Sequence, residues 1–306
     1  MTDGPEPIRA VPVRHPGRWV ALAVIAVLVA MFVNMLVTND AFQWRFMFEN
    51  MFREPVLEGV KTSLTLTVYS MILGVLLGIT IAVMRLSDNR IISTVAWFYT
   101  WFFRAVPRLV LCVLCGNLGI LLQRIEVGVP FGGPLSRLTG LEAVDGKIWG
   151  ADGNTILVGF FAGLLALTLS EAAYMAEIVR AGILSVDAGQ SEAAQALGMS
   201  RGLTMRKVVL PQAMRVIVPP TGNETIAMLK DTALVAAVPV TTELFFQLSA
   251  IGSRTFQPFP MYVAACLWYV GMTSVLLVGQ HYLEKRFSRG VAGQMKVRAL
   301  TMGASK

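Results

Sequence analysis

The feature that most constrains this chain is a series of apolar blocks, each long enough to cross a bilayer, at roughly 19–37, 62–84, 94–122, 155–179, 212–237 and 261–283. About twenty residues rising 1.5 Å each cross the ~30 Å of hydrocarbon in a membrane. The pattern predicts an all-α, polytopic membrane protein with about six transmembrane helices. Composition agrees: 55% of the residues are hydrophobic and 15% charged, against about 25% charged in soluble domains.

The net charge of +7 comes from 26 Lys and Arg against 19 Asp and Glu. A nucleic-acid binder sets basic residues in stripes on a polar fold, so no nucleic-acid partner is expected. The charge follows the membrane instead. On the side that holds both termini and the 180–215 loop there are 18 Lys and Arg, with Arg104 and Arg108 counted among them; the other side has seven, and Lys230 falls inside the membrane. The positive-inside rule then places both termini in the cytoplasm.

Three cysteines are too few for a disulfide framework, and Cys112 and Cys115 lie in an apolar block where they read as small buried hydrophobes. His15 and His281 belong to no ligand-spaced cluster, so neither a metal site nor His-based catalysis is expected. Residues 1–18, rich in Pro and Arg, read as a disordered basic tail. The block behind them exceeds a signal-peptide core and lacks a small-residue cleavage site, which predicts a retained helix. Outside the membrane, the aromatic-rich 38–61 segment predicts an interfacial helix. The Gly- and Pro-rich 123–154 segment reads as a loop of about thirty residues, either a plain connection or a landing surface for an external partner.

The loop between the fourth and fifth blocks is the most informative. Asp187 or Ser185 supplies a helix cap, 191–197 is rich in helix formers, and Gly198 supplies a left-handed stop. The small apolar residues Ala193, Ala194 and Ala196 let another protein's backbone approach closely, so this helix suits docking better than lipid anchoring.

Glu192-Ala193-Ala194, then Gly198, then Val208 and Leu210-Pro211, resembles the EAA loop of ATP-binding-cassette (ABC) importer permeases. The stretches 103–107, 173–190 and 209–235 resemble the polar amino acid branch of that family, which carries histidine, glutamine, glutamate, arginine and opines. The resemblance implies an organisation of 1–18 basic tail, 19–55 accessory helix and external segment, 56–285 transport core with coupling loop 185–211, and 286–306 cytoplasmic tail. It also implies that Glu192, Ala193, Ala194, Gly198, Leu210 and Pro211 contact an ATPase. Two departures stand out: Ala105 replaces the glycine of the usual Arg-Gly-x-Pro, and Arg108 follows the proline where an apolar or acidic residue is expected.

Glu171, Glu224, Asp231 and Glu243 fall at membrane depth with Lys230. Central charges cost roughly 2.5–3.5 kcal/mol on insertion scales, so these imply pairing or a wet cavity. Pro219-Pro220 and Gly222-Asn223 predict a broken helix with freed carbonyls, as at transporter substrate sites. Glu171, Asn223, Glu224, Lys230, Asp231 and Thr232 are therefore candidates to line a substrate path. For Lys230 and Asp231 the alternative is a buried pair that fixes packing. Four acids against one lysine favour a cationic or neutral substrate only weakly, since both polar stretches resemble family-wide patterns.

The expected function is the permease subunit of an ABC importer of a polar amino acid in the bacterial cytoplasmic (inner) membrane. A related zwitterion, such as an opine or compatible solute, is the alternative substrate, and an intramembrane enzyme the rival class. The chain contains no Gly-x-x-x-x-Gly-Lys-Ser/Thr, so no catalytic residue and no cofactor are expected here. ATP and Mg would bind a separate cytoplasmic ABC ATPase dimer. The other partners implied are a second permease subunit in a homo- or heterodimer, an extracellular or periplasmic amino-acid-binding protein, and membrane lipid.

Overall fold

The computed structural model describes residues 16–122, 124–127, 149–152, 159–238 and 240–287. The basic tail up to residue 15, the C-terminal tail beyond 287 and the middle of the 123–154 segment lie outside the described residues. The first apolar block is helix α1 (Pro16–Thr38), and none of its span is buried against the rest of the molecule. A helix apolar on every side and packed on nothing needs lipid around it.

The aromatic segment folds as expected into a short helix, α2 (Trp44–Asn50), after a tight turn at Asp40–Phe42. Phe42 stacks on Trp44 and meets the edge of Phe259, while the Trp44 indole donates to the Leu36 carbonyl at 2.8 Å. Met47 and Met51 complete a buried cluster with Leu244, Leu248 and Met261. Pro55 fits the first turn of the next helix, which starts earlier than the apolar block, so α3 runs Glu54–Arg85.

Asn89 caps α4 (Arg90–Ala105), and the chain then bends by 100° at Val106-Pro107 into α5 (Arg108–Gly116). Pro107 forces Val106 into an extended conformation and ends the helix. The third block is therefore a bent pair, followed by a single turn, α6 (Leu118–Leu121). The segment expected to be a loop has paired ends: β1 (Arg124–Val127) lies antiparallel to β2 (Trp149–Asp152), with Arg124 opposite Asp152.

Helix α7 (Phe160–Leu184) is the centre of the fold. It runs parallel to α3, with Gly74 against Glu171 and Gly78 against Met175 and Ala172. Glycines four apart on α3 and the alanines of α7 let the two backbones approach, the usual route to helix association in lipid. Helix α8 (Ala188–Ala196), the one-turn α9 (Arg201–Thr204) and a π-turn at Met205–Val209 lead into α10 (Leu210–Asp231). The expected break at Pro219-Pro220 does not occur, because α10 runs unbroken through both prolines. Their fixed φ is already helical, so the helix loses only the two amide donors to the Arg215 and Val216 carbonyls; Gln280 Nε2 separately ties α12 to the Pro219 carbonyl at 2.8 Å. The irregularities fall at the two ends instead, in the π-turn and in a 3₁₀ turn at Thr232–Ala237.

Glu243 begins α11 (Leu244–Arg254), and α12 (Pro258–Phe287) closes the bundle. The Glu243 carboxylate accepts from the amides of Phe245 and Phe246, from Ser63 at 2.8 Å and from Tyr269 at 2.7 Å. Four neutral donors from α3, α11 and α12 thus satisfy one of the four membrane-depth acids. Cys112 and Cys115 pack in the core beside Leu66, Leu111 and Met228. Among the described residues α1, α3, α7 and α12 are long and apolar enough to cross a membrane, and the bent α4–α5 pair makes a fifth. Helix α10 has the length but carries Arg215, Glu224, Lys230 and Asp231.

A Cβ on Gly78 would stand 2.6 Å from the Met175 Cβ and 3.0 Å from the Ala172 carbonyl, whereas Gly271 faces open space. Gly78→Leu is expected to destabilise the protein by about 1–3 kcal/mol through overpacking. Gly271→Leu should be neutral or stabilising by up to about 1 kcal/mol. Thermal unfolding of the two variants in detergent micelles checks this; equal midpoints would refute the α3–α7 contact.

Candidate functional site

Arg108 is the first residue of α5, immediately after the Pro107 bend, and its guanidinium reaches carboxylates on two other helices. Nη1 donates to Asp231 at 2.5 Å, Nη2 donates to Glu171 at 3.0 Å, and Glu224 lies 3.6 Å from Nη2. Tyr174, one turn along α7 from Glu171, presents its ring face 4.8 Å from the guanidinium carbon. The cluster is graded in depth. Glu171 is 0% exposed and Arg108 12%, while Glu224 and Asp231 are 25% and 31% exposed. Glu171 Oε1 is buried with no hydrogen-bond partner. Three carboxylates around one guanidinium carry a formal charge of −2.

Glu171, Glu224 and Asp231 are thus brought together, and the other three sequence candidates are not. Thr232 is buried and donates to the Leu229 carbonyl. Asn223 and Lys230 are exposed, and Lys230 makes no ion pair among the described residues. The buried Lys230–carboxylate pair is therefore replaced by one centred on Arg108, because Lys230 and Asp231 are successive helical positions and point in different directions. Arg108 had been counted on the cytoplasmic side. A signal was available, since an arginine followed by Leu109-Val110-Leu111 inside an apolar block has to face the protein interior. Arg104 is exposed but stands one turn before Arg108 at the far end of α4, 5.6 Å from the same Tyr174 ring, and so leaves the basic side with it. Sixteen Lys and Arg then remain on the basic side against seven.

The loop joining α7 to α10 has a fixed geometry. Asp187 accepts from the Gly189 amide at 2.8 Å and starts α8. Gly198, with φ +82°, ends it: its amide donates to Gln195 O, and the Met199 amide donates to Ala194 O. This double closure is a Schellman stop, which favours glycine at the left-handed position. Ser200 then caps α9. Ala194 is buried, while Glu192, Ala193, Gly198, Leu210 and Pro211 are exposed and Leu197 is 85% exposed. The helix presents a free, small-residue face.

Arg85 and Arg180 both hold Glu177, at 3.4 and 2.7 Å, beside this end of α7. A cavity of about 910 Å³ lies between α3, α7, α10 and α12, lined by Val75, Met175, Met214, Thr221 and Leu283 among others. Its lining is mainly apolar.

The family described as binding-protein-dependent transport system inner membrane component matches residues 74–289. The chain belongs to this family of importer permeases. The arginine transport system permease protein ArgU of Corynebacterium glutamicum is 44% identical over 299 residues, covering 98% of this chain and 89% of that protein. The nopaline transport system permease protein NocM of Agrobacterium fabrum is 36% identical, covering 72% and 83%. A crystal structure of an amino acid ABC transporter with histidines superposes with a TM-score of 0.58 at 33% identity, covering 76% of this chain and 94% of that one. An inward-facing methionine transporter, MetNI, at 18% identity and a TM-score of 0.55, shares the fold. This permease is a multi-pass membrane subunit for the transport of polar amino acids.

In the permease, Gly198→Ala should strain the left-handed stop by about 1–2 kcal/mol. The Gly198 and Met199 amides are then expected to exchange hydrogen about five-fold or more faster, since 1 kcal/mol is a factor of about five. Exchange at wild-type rates would show that the stop does not depend on glycine.

Proposed function

We propose that this permease moves a polar amino acid past the Glu171–Glu224–Asp231–Arg108 cluster, and that loop 185–211 transmits the work of a separate ABC ATPase to it. One observation carries the reading: the loop joins α7 to α10, the two helices that supply the three carboxylates. A displacement of α8 therefore tilts one carboxylate against the other two and changes the shape of the site. The π-turn at Met205–Val209 lies between loop and cluster, where a helix yields most easily.

In this reading the exposed Glu192, Ala193, Gly198, Leu210 and Pro211 form the ATPase contact, and the expected contact at Ala194 is corrected, because that side chain is buried within the loop's own packing. Two permease subunits, identical or paralogous, stand over two ATPase subunits that bind ATP and Mg, and an extracellular or periplasmic binding protein delivers the substrate. The sequence carries no phosphate-binding loop of its own, which supports a separate ATPase. Sixteen Lys and Arg against seven favour both termini and the loop on the cytoplasmic side of the bacterial inner membrane. The organisation that fits is a transport core of 56–285 with α1 and α2 as an accessory unit and 286–306 as a cytoplasmic tail. Helix α1, none of whose span is buried against the rest of the molecule, supports that division. The formal charge of −2 at the cluster and the likeness to an arginine permease both favour a cationic substrate over a neutral one such as an opine or compatible solute.

Co-purification with an ABC ATPase and uptake of amino acids into proteoliposomes test the reading. Gly198→Glu should insert normally yet lower substrate-stimulated ATP hydrolysis about tenfold or more, equivalent to about 1.4 kcal/mol of lost docking; wild-type hydrolysis would refute the coupling role. Glu171→Gln should shift the ratio of cationic to neutral amino acid uptake by a similar factor while the complex still assembles. An unchanged ratio across all amino acids would make Glu171 a packing residue.

A further inference from the structure

We infer that Arg108 is a tethered, displaceable counter-ion: in the empty permease it occupies the carboxylate site that takes the guanidinium or ammonium head of a cationic amino acid. The inference rests on the cluster lying on the substrate path and adds what the resident arginine does there.

Four observations support it. The site has acceptors to spare, since three carboxylates face one guanidinium and Glu171 Oε1 is fully buried without a partner. In a low-dielectric interior a formal charge of −2 attracts a second cation strongly. Access is graded: Glu171 is fully closed, and the partly exposed Glu224 and Asp231 are the carboxylates that a cation from outside the cluster meets first. A second resting place exists beside the first, because the face of Tyr174 lies 4.8 Å from the Arg108 guanidinium and attracts a cation that has left the carboxylates. The tether is also in the right place, at the first residue after the 100° bend, so that release of the side chain breaks the ion pairs joining α5 to α7 and α10 while the apolar packing of Leu111, Cys112 and Cys115 keeps the helix in place.

An incoming guanidinium offers the same planar fork of N–H donors as Arg108 itself. Exchange therefore replaces one cation by another at the carboxylates, and no buried charge loses its partner at any stage. Once displaced, Arg108 is available to pair with the α-carboxylate of the same substrate, the bidentate contact for which arginine is suited. An amino acid without a cationic side chain cannot make the exchange. Arg108 occupies a position where the family resemblance leads one to expect an apolar or acidic residue.

The test uses the purified permease–ATPase complex in lipid nanodiscs, with methylguanidinium as probe. Wild type, Arg108→Ala and the double variant Arg108→Ala/Glu171→Gln are compared by thermal shift and by competition with L-arginine. The double variant restores the formal charge of −2 and guards against simple misfolding of the single one. Removing the internal competitor should lower the methylguanidinium concentration needed for half-maximal stabilisation by about tenfold or more, as expected for a site otherwise about nine-tenths occupied. Adding Asp231→Asn should abolish that gain. Equal responses in all three proteins overturn the inference, as does failure of both variants to fold even with the ion present, which would make Arg108 a fixed structural ion. A wild type that imports amino acids while its variants show no gain refutes the tethered counter-ion alone. A wild type that imports none refutes the underlying transport reading.

Discussion

A guanidinium in the middle of an apolar bundle persists only if carboxylates surround it, and the arrangement of this permease follows from how Arg108 meets that condition. Its partners come from α7 and α10, so one side chain on α5 ties together three helices that have no sequence proximity. Removing one member of such a buried group leaves uncompensated charge and typically costs about 3–5 kcal/mol. The Pro107 bend is part of the same solution. By turning the chain through 100° at this depth it ends α4 early and delivers Arg108 sideways onto Glu171.

The close packing of α3 on α7 supplies the frame. Gly74 and Gly78 leave no side chain between the helices, so Glu171 is held in a fully closed wall and its orientation is set by backbone contacts. Glu243 shows the contrasting way to bury an acid. Four neutral donors satisfy it completely and lock α11 to α3 and α12, which leaves it no capacity for a ligand. Two buried acids are thus separated by chemistry: one is saturated within its own fold, the other retains an unused oxygen beside a shared cation.

The path from loop to cluster is short and continuous. From Glu171 the α7 helix runs past the Arg85–Glu177–Arg180 network to the capped helix α8, then through the Schellman stop and the π-turn into α10 and back to Glu224 and Asp231. The loop is capped at each corner, by Asp187, by the Gly198 stop and by Ser200, which in the proposed coupling would carry movement of α8 to the flanking helices. That is the mechanical content of the proposed coupling.

Much of this was legible in the sequence. The apolar blocks fixed the all-α membrane class, because only a continuous run of about twenty such residues crosses hydrocarbon as a helix. Asp187, the alanines and Gly198 announced α8 and its stop, since capping depends on residues within a few positions of one another. Pro219 and Pro220 misled for the same reason that they are usually informative: local rules see the missing amides but not the packing of α10 on α7 and α12 that holds the helix straight through them. Lys230 and Arg108 exchanged roles because charge counting along the chain cannot say which cation lies on the inner face of its helix. What the sequence determined by itself was every property set by neighbours in the chain: spans, caps, stops and the side on which basic residues gather. Only the tertiary structure decided which of four acids share a cation and which one is saturated, because ion pairs between residues 63 and 123 positions apart depend on helix rotation and packing that no local pattern encodes.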